Sequence, residues 1–286
     1  MPAARHPAKA AGLLLLALAT ACGGSSSPAG SVLSGERVTV GTIADAPGFD
    51  FDVPAAGFDI DVMHAVGAAL DKKMVPSPIF YKDRPGQLLD GTLQLVIATY
   101  SITQGRNDAG IDFAGPYMVS PQGLLVRKTD DTFRSAKDVR GKSVCTAEDT
   151  TGGGTDIPGA HMDDQQPTTQ GCVDQLAAGN TDAVFSDWLI LDGFMHLHPD
   201  EYKVVLPNVF GQLQYLGIGL KKGHHADCLK LNGVLTNFLD KQWATDFLTD
   251  FPYAIKDYNQ QTGQARDYQS VFKPTSSEVQ RLSCKL

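Results

Sequence analysis

Two stretches 88 residues apart share one form, and that form limits what the chain can fold into. Leu89-Asp90-Gly91-Thr92-Leu93-Gln94-Leu95-Val96 is matched by Ala177-Ala178-Gly179-Asn180-Thr181-Asp182-Ala183-Val184, and each reads as a helix end, a glycine turn and an apolar strand. A chain that uses this unit twice, amid alternating strands and helices, builds two similar α/β lobes with parallel sheets. Eight residues past each glycine stands a polar residue, Thr99 in one copy and Asp187 in the other. Ligands of parallel α/β sheets sit at the carboxyl ends of the strands. Two lobes facing one cleft therefore bring Thr99 and Asp187 together.

The lobes can be delimited from the pattern. Arg37 to Ala44 is a strand, and a Gly/Pro/Asp loop follows. Asp59, read as a helix cap, precedes Val62, Met63, Val66, Ala69 and Leu70 at helical spacing. Met74 to Tyr81 reads as a second strand, Pro85 to Leu89 as a short helix and Leu93 to Thr99 as a third strand. After the apolar run Gly123 to Lys128, the polar stretch Thr129 to Gly141 opens a new set: strand 143 to 147, a Gly-rich loop, helix 172 to 178, strand 182 to 186 and helix 188 to 195. The chain returns through Tyr215 to Leu220 and a helix over Ala226 to Leu239. Residues 36–120 and 217–286 are expected in the first lobe and 121–216 in the second, with two crossings between them.

Residues 1–21 read as an export signal. Arg5 and Lys9 supply a short positive region and Ala11 to Ala21 an apolar one, too short to span a bilayer. Leu18-Ala19-Thr20-Ala21-Cys22-Gly23 resembles a lipoprotein cleavage box, apart from Ala19 where leucine is usual, so Cys22 is expected to carry acyl chains. The Gly/Ser/Pro/Ala-rich residues 22–35 are then a flexible tether. Four cysteines remain, an even number that suits two disulfides in an exported protein. Cys145 and Cys172 fall within one lobe. Cys228 and Cys284 would staple the tail to the other, and either alternative pairing would tie the lobes together.

Net charge is −8, falling to −10 without Arg5 and Lys9, which disfavours nucleic acid as a partner. Gly141-Lys142-Ser143 resembles the end of a phosphate loop, but Ala136 stands where its first glycine is required. His196, His198, His224 and His225 lack metal-ligand spacing and read as solvated. The acidic run Asp50, Asp52, Asp59 and Asp61 lacks the glycine and terminal glutamate of a calcium loop. No Gly-x-Ser-x-Gly elbow occurs, so no metal, cofactor or catalytic residue is assigned. Thr99, Ser101, Arg106, Thr150, Thr151 and Asp187 remain, a set of charged and hydrogen-bonding groups at strand ends that suits a zwitterion.

Gly57-Phe58-Asp59-Ile60-Asp61-Val62, Ile97-Ala98-Thr99-Tyr100-Ser101-Ile102-Thr103 with Arg106, and Asp112-Phe113-Ala114-Gly115-Pro116-Tyr117 resemble signatures of the polar amino-acid-binding proteins of ABC importers. The likeness runs from about residue 36 to 253 and takes in Asp149-Thr150-Thr151, Thr181 to Asp187 and Gly217-Ile218-Gly219-Leu220. Cys145 and Cys172 resemble the cysteines of the glutamate/glutamine-type lipoproteins of actinobacteria. The resemblance implies a two-lobed type II periplasmic-binding-protein fold that closes on one amino acid, acting as a monomer with separate importer subunits. It gives Arg106 the α-carboxylate, Thr99 and Ser101 its hydrogen bonds, Thr151 the contact from the second lobe and Asp187 the α-ammonium. Three departures stand against the family pattern: an extra residue between Arg106 and Phe113, Ala98 for serine and Gln94 for aspartate.

Aromatic walls for the ligand are sought among Phe49, Phe51, Tyr81 and Tyr215, with Tyr81 first. Arg84, placed in a loop beside Thr99, suits a second carboxylate. Glutamate or aspartate is therefore expected first and glutamine or asparagine next. The same pocket would serve a sensor for a membrane kinase. A dehydratase on this fold would need an acid such as Glu148.

Overall fold

The computed structural model describes residues 1–3, 30–51 and 55–285. Most of the export signal, Cys22, most of the tether and Asp52 lie outside the described residues. In chain order the first segment runs β1 (Arg37–Thr42), α1 (Phe58–Leu70), β2 (Lys73–Pro78), α2 (Asp83–Leu89), β3 (Leu95–Val96), α3 (Gln104–Asp108) and β4 (Ile111–Ser120). The second begins at β5 (Gln122–Arg127) and continues through β6 (Ser143–Ala147), β7 (His161–Gln166), α4 (Thr169–Ala178), β8 (Ala183–Asp187), α5 (Trp188–Leu197) and β9 (Tyr202–Val205). The return is β10 (Gln214–Lys221), α6 (His225–Lys241), α7 (Trp243–Asp250), α8 (Ala254–Thr262), α9 (Tyr268–Phe272) and α10 (Ser276–Leu282).

Two five-stranded sheets result, ordered β2-β1-β3-β10-β4 and β7-β6-β8-β5-β9, and their orders correspond strand for strand. The repeated unit occupies the same place in each: β3 lies parallel to β1, and β8 parallel to β6. Both turn glycines are left-handed, Gly91 at φ 83° and Gly179 at φ 76°, a conformation open to glycine at little steric cost. Gly179 ends α4, and the Thr168 side chain opens it by accepting from the Gly171 N–H at 3.0 Å.

The sheets are mixed, against the expectation of parallel ones. β10 runs antiparallel to β3 and β4, and β5 antiparallel to β8 and β9. The reason lies in the crossings. β5 and β10 each enter from the other sheet at the cleft end, where the parallel strands finish, and so point the opposite way. Gln214, Tyr215 and Leu216, read from sequence into the second lobe, pair with Ser120, Val119 and Met118 in the first sheet. Other elements also depart from the reading. Asp59 does not cap α1, whose N-cap is Gly57 with no side-chain bond, and β7, β9 and the helices after α6 were not foreseen.

Each lobe has a disulfide, Cys145–Cys172 joining β6 to α4 and Cys228–Cys284 joining α6 to the chain end. That is the pairing expected from position. The last helices span the two sheets. Trp188 at the start of α5 donates its indole N–H to Gln261 on α8 at 2.8 Å, and its ring stacks on Phe272 of α9 at 5.7 Å. Phe272 in turn stacks on Phe247 of α7 at 5.3 Å. Among the described residues no helix is long and apolar enough to cross a membrane.

Candidate ligand site

Thr99 lies three residues past β3 with φ 45°, an uncommon conformation for a β-branched residue and therefore strained. Its N–H donates to Asp59 Oδ2 at 2.7 Å, and Asp59 Oδ1 accepts from the Tyr117 hydroxyl at 2.7 Å. Asp59 is thus the buried post that holds the Thr99 turn at the cleft. Burial pushes its carboxyl up to about 7, while the Tyr117 and Thr99 bonds pull the other way.

Beyond Thr99, the Tyr100 ring has both arginines beside it. The guanidinium carbons of Arg84 and Arg106 each lie 4.5 Å from its centroid. Arg106 sits on α3, whose N-cap Thr103 accepts from the Arg106 N–H, and it donates to the Ser101 carbonyl at 2.7 Å and the Asp149 carbonyl at 3.3 Å. Arg84 is not in a loop. It occupies the first turn of α2, only 2% exposed, and donates to the carbonyls of Tyr81, Ala98 and Asp149 at 3.0 to 3.1 Å. A guanidinium has five N–H groups, so both arginines keep donors for a ligand. Burial lowers both, and Arg84 adds to the effect on Arg106, which falls to about 10.

From the second lobe come the loop after β6 and the end of β8. Thr151 Oγ1 accepts from Gln122 Nε2 at 3.3 Å, and Gly152 packs so tightly that a Cβ would stand 2.2 Å from Thr146 Oγ1. Asp187 ends β8 beside Gln122 on β5, 7% exposed. Burial pushes its carboxyl up to about 7 although Arg106 and Arg84 draw it down. Together these groups line a cleft of about 320 Å³ that holds Tyr81, Arg84, Thr99, Ser101, Arg106, Thr151 and Asp187. All seven residues named from sequence are therefore brought together, and Arg106 is among them despite the extra residue after it. Gln122, Ser186 and Ile190 also line the cleft and were not foreseen. Of these, Gln122 carried a signal, because it opens the strand that follows the first crossing.

Of the proposed aromatic walls only Tyr81 lines the cleft. Phe49 packs on Phe251 and Phe51 on Phe194, while the Tyr215 hydroxyl donates to Glu278 at 2.9 Å. Tyr81 does more than pack. Its hydroxyl donates to Asp45 Oδ1 at 2.9 Å, and Asp45 Oδ2 accepts from the Thr169 N–H at 2.7 Å. A carboxylate from the loop after β1 thus caps α4 of the other lobe. Lys82 pairs with Glu148 at 2.9 Å across the same rim. Glu148 is therefore engaged by Lys82 at the mouth of the cleft.

The fold is matched by known proteins. Residues 38–260 match the model of bacterial extracellular solute-binding proteins, family 3. The chain belongs to that family. It is 32% identical over 235 residues to the glutamate-binding protein GluB of Corynebacterium glutamicum, covering 76% of this chain and 79% of the relative. An ancestral arginine-binding protein bound to arginine superposes with a TM-score of 0.69 at 26% identity, over 76% of this chain and 99% of that one. A third likeness, to an ancestral amino acid-binding protein described as a precursor of cyclohexadienyl dehydratase, has a TM-score of 0.67 at 23% identity. It covers 77% and 97% of the two chains and bears on the fold alone.

Proposed function

We propose that this family member is the extracytoplasmic receptor of an ABC importer. It captures a polar amino acid with an acidic or amide side chain, glutamate or aspartate before glutamine or asparagine, and hands it to separate membrane subunits without chemical turnover. The observation that carries this reading is the charge in the cleft. The buried guanidinium of Arg84 and the half-buried one of Arg106 have no carboxylate partner among the described residues, and Asp187 is the one acidic residue lining the cleft. An acidic amino acid has two carboxylates and one ammonium, the inverse of that set. Unpaired buried charges are costly, and a ligand that neutralises each one recovers the cost.

In this reading Arg106 grips the α-carboxylate as a planar fork, with Thr99 and Ser101 beside it. Asp187 takes the ammonium, Thr151 closes from the second lobe, Tyr81 forms a wall and Arg84 meets the side-chain carboxylate. An arginine ligand, as in the ancestral relative, would set a third guanidinium among two others with a single carboxylate to balance them. The chain works as a monomer anchored outside the membrane through acylated Cys22. Titrating the purified protein with each of the twenty amino acids, read by calorimetry, tests the assignment. Micromolar or tighter glutamate or aspartate binding is expected, and preference for lysine or arginine would overturn it.

A further inference from the structure

Away from the cleft, α5 carries an anomaly. Its sequence Trp188-Leu189-Ile190-Leu191-Asp192-Gly193-Phe194 is apolar apart from Asp192, which is 2% exposed and whose Oδ1 has no hydrogen-bond partner. Such a group is costly unless a charge meets it. One helical turn on, His196 Nε2 lies 3.9 Å from that oxygen, and the same nitrogen lies 2.7 Å from Asp257 Oδ2 on α8. His196 is exposed, as its sequence context suggests, yet it also faces two carboxylates. One ligand atom from each of the three side chains falls within 4.8 Å of the others, among the described residues the one such convergence of histidine and carboxylates.

We propose that Asp192, His196 and Asp257 bind a divalent transition-metal ion, zinc foremost, which clamps α8 of the C-terminal segment onto α5 of the second lobe. One imidazole nitrogen and two carboxylate oxygens suit zinc, with water as the fourth ligand. Tetrahedral zinc sets its ligand atoms about 3.3 to 3.4 Å apart. The two histidine-to-carboxylate separations bracket that value and the two carboxylate oxygens lie within 4.8 Å of each other, so shifts of about an ångström in the partly exposed side chains of His196 and Asp257 reach it. A divalent ion, two carboxylates and a neutral imidazole sum to zero charge and give buried Asp192 its missing partner. Cavities adjoin the group on both sides, one lined by His196 and Asp257 and the other by Asp192 and His196, and they admit the ion and its water. The His196 ring stacks on Tyr253 at 4.8 Å, which limits its rotation. An ordinary ion pair between His196 and Asp257 fills the 2.7 Å contact but leaves Asp192 Oδ1 3.9 Å from the same nitrogen, beyond hydrogen-bond reach.

The test uses the full-length protein stripped by chelator, with no amino acid present. It is titrated with Zn²⁺ by calorimetry and with Co²⁺ by visible absorption. One ion per chain at micromolar affinity or better and a raised melting temperature are expected. His196→Gln, Asp257→Asn and the near-isosteric Asp192→Asn should each weaken binding at least about tenfold, since even indirect partners of a metal site matter that much. Variants that keep the parent circular-dichroism spectrum count as folded, and any one of the three suffices. A His224→Gln/His225→Gln variant should bind as the parent does. No zinc uptake at micromolar concentration, unchanged uptake in a folded His196→Gln variant, or uptake lost only with His224 and His225 would each overturn the proposal.

Discussion

Arg84→Ala should act in two separable ways. Three carbonyls lose a guanidinium donor, but Asp149 keeps Arg106 and Tyr81 keeps the backbone N–H of residue 84, so the melting temperature falls chiefly through the Ala98 carbonyl, an orphaned group costing about 1 to 3 kcal/mol. In the proposed role the ligand also loses its side-chain partner, so affinity for glutamate should drop by more than affinity for glutamine. Calorimetry with both ligands measures that ratio, and equal losses would leave Arg84 a purely structural post. A second expectation at this scale follows from Asp187, whose carboxyl stands at about 7 in the empty cleft. Ammonium capture needs the carboxylate, so affinity should rise with pH through about 7 and fall by up to tenfold per unit below it. Asp187→Asn should bind weakly at every pH and flatten that slope. Stability of the ligand-free protein runs the other way. The folded carboxyl keeps a proton that the unfolded chain loses near 3.8, so stability is fullest below that value and declines as pH climbs toward 7, with Asp59 adding to the same trend. Melting curves at pH 5.5 and 8, with and without glutamate, separate the two slopes. Thr99 and Asp187 were legible as cleft residues because each follows a recognisable glycine turn and strand. Asp59 and Tyr100 were not, since a carboxylate before an apolar helix reads as a cap, and a tyrosine between two polar residues does not announce two guanidiniums.

Among the elements, the contact of the loop after β1 with α4 deserves a direct test. Asp45 caps a helix of the opposite lobe, and that bond, unlike the one from the Tyr81 hydroxyl, contributes only while the lobes are together. Asp45→Ala should leave each lobe intact and favour the open form, weakening every amino acid alike by about 0.5 to 2 kcal/mol, the usual value of a cap. Small-angle scattering of the ligand-free variant should report a larger radius of gyration than the parent, and a drop confined to one ligand would count against the cap. Strands with alternating or continuous apolar residues were readable: β1, β5, β6, β8 and β10. β7 was not, because His161-Met162-Asp163-Asp164-Gln165-Gln166 is a half-exposed edge strand held by its pairing with β6 rather than by an apolar face. β4 went unread as a strand because Asp112, Gly115 and Pro116 interrupt a segment that is buried throughout. The sheets' mixed direction was out of reach for another reason: strand polarity depends on which end of a lobe the chain enters, and periodicity carries no trace of that.

At the scale of the whole molecule, the proposed anchor comes first. If Cys22 is acylated, Cys22→Ser should move the protein from the membrane fraction to the medium with amino-acid affinity unchanged. Retention in the membrane fraction would place the anchor elsewhere. Two lobes and two crossings were readable from the repeat, whereas the segment after α7 looked like a tail merely stapled by Cys284. It is more than that. The start of α5 sits at the first crossing, with the Trp188 N–H donating to the Pro121 carbonyl at 2.7 Å, and His196 lies about 12 Å further along the helix at the usual rise per residue. There α8 meets it, while α10 is fixed to α6 of the other lobe through the loop ending at Cys284. Two strands crossing side by side let one body swing and also swivel against its neighbour. A third tie set off from them acts like a second pin on a door, taking away the swivel and leaving the swing, so that the two halves of the cleft meet in the same register each time it shuts.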